Sequence, residues 1–187
     1  MKIWFKYIVL KQALLKIALV LSFLNAAFVF SQTKKSDDWS SNEAMYYKNL
    51  KELAEYVNQA GMVSKDTLFK KYIYFDNILK DSIEERKNKR LAVFDTIFSF
   101  VPNTIKSNGI ENLEAKPLRF YKDYKIYEPF KAALKEVSCD VMVYYNKEKP
   151  EEPLGTLLFE PESHKLVAWI LLKQGDGGWF FLTFNLL

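Results

Sequence analysis

His164 and Cys139 are the only histidine and the only cysteine in the 187-residue chain, and between them they bound much of the chemistry it could do. Transition-metal sites are built from several His and Cys ligands. One of each, 25 positions apart, is no such set, so no metal and no cofactor is expected. The run Glu162-Ser163-His164 holds triad residue types, but neighbours on one turn point in different directions, whereas a triad needs them to converge. His164 is expected to be a solvated turn residue rather than a lone acid or base. Cys139 would need a helix N-terminus or a cation to become a nucleophile. It follows a predicted helix C-terminal end, where the dipole has the wrong sign, and is expected to pack as a small hydrophobe.

Carboxylates are the remaining catalytic currency. Asp140, Glu160 and Asp176 fall at predicted strand ends, and a carboxylate pair can act as acid and base on a glycoside. That makes a secreted hydrolase the alternative function. With 23 acidic residues, however, such pairs arise by chance, and Asp-Gly at 176–177 is ordinary turn chemistry. The glycine run Gly175-Asp176-Gly177-Gly178 precedes a predicted strand rather than a helix and lacks the lysine of a phosphate loop. No catalytic residue is assigned. Tyr144, Tyr145, Trp169 and Trp179 are aromatics on predicted strands. Tyr144, Trp169 and Trp179 are the candidate ligand-binding residues, because apolar area on both faces of a sheet must be covered by something.

The elements that would position these residues are helical first and extended later. Ser40 and Glu43 have capping-box spacing, and Tyr46, Leu50, Leu53 and Val57 then trace one helical face ending at Gly61. A second start at Ser64 leads through Leu68, Tyr72, Phe75, Leu79 and Ile83, then Leu91, Phe94, Ile97 and Val101. These predict two helices, broken or bent near Asn88 and ending at Pro102. Residues 102–117 read as a connector. Pro129 predicts a helix to about Glu136. After Ser138 the pattern is that of strands: Val141–Tyr145, Leu154–Glu160, Lys165–Leu172 and Trp179–Leu186, joined by the charged loop Asn146–Pro153 and two tight turns. The fold class is therefore α+β, with helices over about 42–137 packed on an antiparallel meander of about four strands over about 138–187. One sheet face should meet the helices; a partner, a ligand or more of the chain is left for the other.

Helices preceding a curved antiparallel sheet, with the last strand entered through Gly177-Gly178-Trp179, resemble the NTF2-like (cystatin-like) cone over about residues 41–187. The resemblance implies a pocket between sheet and helices, without implying an activity. It also implies a strand or hairpin between the early helices, for which Asn103–Lys116 is the only room.

The first 31 residues are a separate matter. Lys2, Lys6, Lys11 and Lys16 precede or enter an apolar run, Ile17 to Phe30, and Val29-Phe30-Ser31 offers a cut between Ser31 and Gln32. This resembles a bacterial secretory signal peptide. The run has 14 residues, where a spanning helix needs about 20, so no stable membrane anchor is expected after cleavage. Residues 32–41 read as a flexible lead-in and 42–187 as one exported domain, periplasmic, secreted or on the cell surface. Four of the 27 basic residues lie in the leader, leaving 23 against 23 acidic ones. A charge-balanced body does not fit nucleic acid, which demands a net basic surface. A non-catalytic domain that binds a small apolar ligand or an envelope protein is the expected function.

Overall fold

In the computed structural model, which describes residues 38–60, 62–75, 80–175 and 178–184, the Ser40–Glu43 capping box is closed in both directions. Ser40 Oγ accepts the Glu43 N–H at 3.2 Å and the Glu43 carboxylate accepts the Ser40 N–H at 2.7 Å. Two otherwise orphaned donors are thereby satisfied at the start of α1 (Ser41–Gln59). Its inward stripe buries Tyr46, Leu53 and Val57. The proposed cut at Ser31 and Gln32, the stop residue Gly61 and Asp176 lie outside the described residues.

Ser64 also caps as expected, with its side chain accepting the Thr67 N–H ahead of α2 (Lys65–Lys71). The apolar period predicted to carry this helix onward ends for a different reason. Tyr72 leaves helical geometry, and Ile73 forms a parallel bridge to Leu166: Tyr74 N–H donates to the Leu166 carbonyl at 2.9 Å and Leu166 N–H to the Tyr72 carbonyl at 2.8 Å. Tyr72, Ile73 and Phe75 are buried as an extended segment, not as a helical face. The predicted break near Asn88 is thus misplaced. Asn88 lies inside α3 (Glu84–Phe98), and the interruption comes before it.

Pro102 does not end the helical region either. It lies in the first turn of α4 (Phe100–Asn108), joined to α3 only through Ser99. A proline has no N–H for the carbonyl four residues back and its ring crowds that carbonyl, which places the break at Ser99 rather than at the proline. α4 stops at Gly109, whose φ of +77° favours a residue without a side chain. The expected connector 102–117 therefore holds most of α4, a 3₁₀ turn (Ile110–Asn112) and a strand, β1 (Leu113–Pro117).

β1 opens a four-stranded antiparallel meander, continued by β2 (Val141–Asn146), β3 (Pro153–Phe159) and β4 (Leu166–Ala168). The expected strand Lys165–Leu172 is split: β5 (Leu171–Gln174) leaves the sheet and pairs with β6 (Gly178–Phe181) as a separate hairpin. The last strand is correspondingly shorter than the predicted Trp179–Leu186. The fold class is α+β, with helices before the sheet as expected. No described helix is long and apolar enough to cross a membrane.

Each face of the meander has its own cover. Ala115, Tyr144 and Gly155 are in register across three strands and face α1 and α4, as do Met142 and Leu157. Val141, Val143, Tyr145, Leu158 and Ala168 face the other way, into a cluster with Leu118, Tyr121 and Phe130. Those last residues come from Leu118–Asp140, a chain of 3₁₀ turns (Leu118–Tyr121, Lys125–Lys131, Lys135–Asp140). The predicted helix Pro129–Glu136 is absent, and Pro129 sits inside the middle 3₁₀ turn. More of the chain, rather than a partner, covers this face.

Ahead of α3, Asp81 organises the helix start. Its carboxylate accepts the Ile83 N–H at 3.0 Å and pairs with Arg86 (2.6 Å from Nη2) and Arg90 (3.3 Å). The Arg86 hydrogen bonds, then that of Ile83, hold the Asp81 carboxyl at about 2, below its ordinary 3.8. A depressed folded-state pKa stabilises the fold fully above the unfolded value and is lost as pH falls through the folded one. The stability gap between wild type and Asp81→Asn should therefore be constant above about 3.8 and close toward about 2. Urea unfolding across that window checks it; a gap that persists unchanged would mean the charge contributes nothing.

Candidate functional site

Four strands contribute to the floor and rim of a recess: β1 through Leu113, Glu114 and Ala115, and β2, β3 and β4 through Tyr144, Leu157 and Leu166. α1 forms one wall with Tyr47, Leu50, Lys51 and Ala54, positions i, i+3, i+4 and i+7 that share a helical face. α4 forms the opposite wall with Val101, Thr104 and Ile105, and Phe100, 59% exposed, stands at its rim. Trp169, just past β4, closes one end. Small residues on facing elements, Ala54 and Ala115, leave about 100 Å³ of room at the centre of this half-open recess. That is several times what one water needs, and of the order of cavities that admit a benzene ring, about 150 Å³.

Besides the hydroxyl-bearing Thr104 and Tyr144, two polar features stand out in a largely apolar lining. At the rim, the Glu114 carboxylate meets Lys51 Nζ at 3.9 Å and the Ala115 N–H at 3.0 Å, and takes a hydrogen bond from the Tyr47 hydroxyl. Burial, then that carboxylate, pushes the Tyr47 phenol well above its ordinary range. At the closed end, the Trp169 indole N–H is fully covered and has no hydrogen-bond acceptor among the described residues. The ring itself is held firmly, tilted against Phe184 at 4.5 Å and Phe98 at 6.0 Å between ring centroids. Most buried donors in native proteins find a partner, so this one is conspicuous.

Of the three sequence-predicted ligand-binding residues, the recess brings together Tyr144 and Trp169 but not Trp179. The Tyr144 ring covers Gly155: a Cβ there would come within 2.7 Å of the ring, so only glycine lets it settle onto β3. Trp179 sits on the β5–β6 hairpin opposite Lys173, whose Nζ lies 5.9 Å from the ring centroid. Tyr145 belongs to the other sheet face. The two helical walls were not singled out in the sequence. The signal was there in the face adjoining the core stripe of α1, where Tyr47, Leu50, Lys51 and Ala54 repeat at helical spacing.

The residues weighed for catalysis lie elsewhere. Cys139 is exposed, not packed as expected; it lies in the last 3₁₀ segment, one residue before its end at Asp140 and two before β2 begins. Local desolvation of the sulfur, then the neighbouring Asp140 carboxylate, raises its thiol pKa, the opposite of activation. Asp140 accepts the hydroxyl of fully buried Tyr46 at 2.8 Å. Glu160 accepts the Glu162 and Ser163 N–H groups at 3.1 and 2.5 Å; burial works to raise its pKa, but the Ser163 and Glu162 hydrogen bonds prevail and lower it. His164 is a turn residue as expected, with φ of +57°, but it is half-buried rather than solvated. Its ring leans on Tyr46 at 5.8 Å with Nε2 3.3 Å from Asn42 Oδ1, and its carbonyl accepts from Asn49 at 2.7 Å. Among the described residues no group of acidic, His and Cys side chains is arranged to hold a metal, and the recess lining carries one carboxylate, Glu114.

One ion pair was missed entirely. Arg119, just after β1, grips buried Glu43 with Nε–Oε1 at 2.8 Å and Nη2–Oε2 at 3.1 Å. Burial alone would raise the Glu43 pKa; the Arg119 and Ser40 hydrogen bonds outweigh it and lower the value. The pair ties the start of α1 to the end of β1 and so fixes the wall of the recess against its floor. Compared with protein-family models, curated proteins and solved structures, the chain matches none.

Proposed function

We propose that this chain is an exported, non-catalytic domain that binds a small apolar molecule between α1, α4 and the meander. The observation that carries the proposal is the recess itself: room for a small ring or a short chain, walled by apolar side chains from two helices and four strands, with Tyr144 and Trp169 at its surface. Pockets of this kind, largely apolar with a few placed polar groups, are the usual form of a small-molecule site. The position between helices and sheet also agrees with what the NTF2-like resemblance implies. Export rests on the leader sequence, Met1 to Ser31.

Benzene is a suitable first probe. On titration, the methyl resonances of Leu50, Ile105 and Leu157 should shift before any others. Ala54→Leu, which puts a larger side chain into the recess, should weaken binding by roughly tenfold or more, given that a few apolar contacts are worth about 1–2 kcal/mol. Shifts centred on the β5–β6 hairpin, or equal binding by Ala54→Leu, would place the site elsewhere.

A further inference from the structure

The class of molecule that fills the recess can be narrowed by the charged pair at its rim, granting that the recess is the binding site. We infer that the occupant is a neutral, compact molecule with an apolar body and one hydroxyl group, which bridges Lys51 and Glu114.

The rim pair is within a ligand's reach. Lys51 and Glu114 both line the recess, and their side chains are 37% and 22% exposed. Glu114 alternates with Ala115 along β1, yet its carboxylate doubles back to the Ala115 N–H and reaches Tyr47 and Lys51 on α1. The charge is thereby brought to the side of the strand on which the recess lies. Its partners are unequal. Ala115 and Tyr47 donate hydrogen bonds to the carboxylate, whereas Lys51 Nζ stands 3.9 Å away, too far for one. The ammonium lies near the Tyr47 ring, 5.6 Å from its centroid. An ammonium carries three N–H donors, and this one makes no hydrogen bond among the described residues.

A hydroxyl suits that gap. Two groups that hydrogen-bond to one shared oxygen at about 2.8 Å each stand roughly 4–5 Å apart. A ligand oxygen can therefore accept from Lys51 and donate to Glu114 without moving either far. No ionised head does both. A carboxylate accepts from Lys51 but meets like charge at Glu114, and an ammonium donates to Glu114 but meets like charge at Lys51. At so short a range each repulsion offsets the attraction that accompanies it. The body is limited by the room behind the rim: about 100 Å³ accommodates a single ring or its equivalent, not an extended lipid chain.

Benzene and phenol test this as a matched pair, since phenol adds one hydroxyl to the same ring and is uncharged at neutral pH. The ratio of benzene Kd to phenol Kd is measured for wild type, Lys51→Met and Glu114→Gln. The methyl resonances of Leu50, Ile105 and Leu157 report occupancy of the recess. Differences in hydration between the probes are common to all three proteins and cancel when the ratios are compared. The ratio is expected to fall roughly 3- to 10-fold in each variant, the range that one hydrogen bond commands. A second measurement needs no variant: benzoate and benzylammonium should each bind the wild type more weakly than phenol. If benzene and phenol bind in the recess but the ratio is unchanged in either variant, the bridging hydroxyl is overturned and the recess stands as an apolar site. Tighter binding of an ionised probe than of phenol overturns it equally. If neither benzene nor phenol binds there, the proposed function itself falls, and the hydroxyl requirement with it.

Discussion

Replacing Phe94 by alanine is expected to cost about 3–5 kcal/mol of unfolding free energy, the usual range for a fully buried aromatic. Phe94 is 1% exposed and sits at the centre of an aromatic cluster. Its ring meets Phe69 edge-on at 4.9 Å and Phe184 at 5.8 Å, Phe75 at 5.1 Å, and Phe98 in a stack at 5.4 Å. Those partners come from α2, the extended segment behind it, α3 and the chain beyond β6. Truncation therefore leaves a cavity bounded by α3 itself, the stretch from α2 through Phe75, and the chain beyond β6, which cannot collapse by moving one of them. For a domain of this size the loss corresponds to a fall in Tm of roughly 6–20 °C. Val93→Ala, one residue earlier and 46% exposed, is the control and should change stability by no more than about 0.5 kcal/mol. Equal effects of the two substitutions in thermal unfolding would show that α3 is not docked through this cluster.

Arg119→Ala should be the second large loss, about 1.5–3 kcal/mol. A fully buried pair broken on one side costs more, but the Arg119 side chain is 39% exposed and water can partly replace it at Glu43. The signature is in the pH dependence. In the wild type the Glu43 pKa is held below its ordinary 4.5, so its stabilisation is complete above that value and is lost as pH falls through the folded-state pKa. Removing Arg119 leaves burial opposed only by the Ser40 bonds, and the carboxyl moves upward. The acid-side loss of stability due to Glu43 should shrink, bringing the variant closer to wild type at low pH than at neutral pH. Glu43→Gln, which keeps hydrogen-bonding atoms at the helix start, should be nearly insensitive to Arg119 removal in a double-mutant cycle. Parallel stability–pH curves for wild type and Arg119→Ala would refute the charge pairing.

Local rules were legible wherever one interaction decides the backbone. The Ser40 and Ser64 caps and the strands β2 and β3 follow from side-chain donors, acceptors and alternation within a few residues. Misreadings arose where burial at helical spacing had a tertiary cause. Tyr72 and Phe75 continue an α-helical period but are buried through the parallel bridge to Leu166, more than 90 positions away. Tyr121, Tyr124, Tyr127 and Phe130 repeat every three residues, the period of a 3₁₀ helix, because the 3₁₀ segments of this stretch lie across a sheet face. β1 carries too few apolar residues to announce itself, and its pairing with β2 supplies what its sequence lacks. At the site, the aromatic pair was visible, but the space before it depends on alanines at 54 and 115 facing across two elements. No single segment of sequence encodes a void.

The Glu114 carboxylate has one more consequence, for what the molecule does not do. β1 is the outer strand of the meander, and an outer strand displays backbone donors and acceptors to any passing chain. At β4, the opposite margin, Tyr72 and Tyr74 already occupy that row. At β1 the Ala115 N–H is taken by the neighbouring glutamate at 3.0 Å, and Pro117 has no N–H to offer. A foreign strand would find the meander's ladder plugged on both sides, so this sheet should resist lengthening by a passing chain.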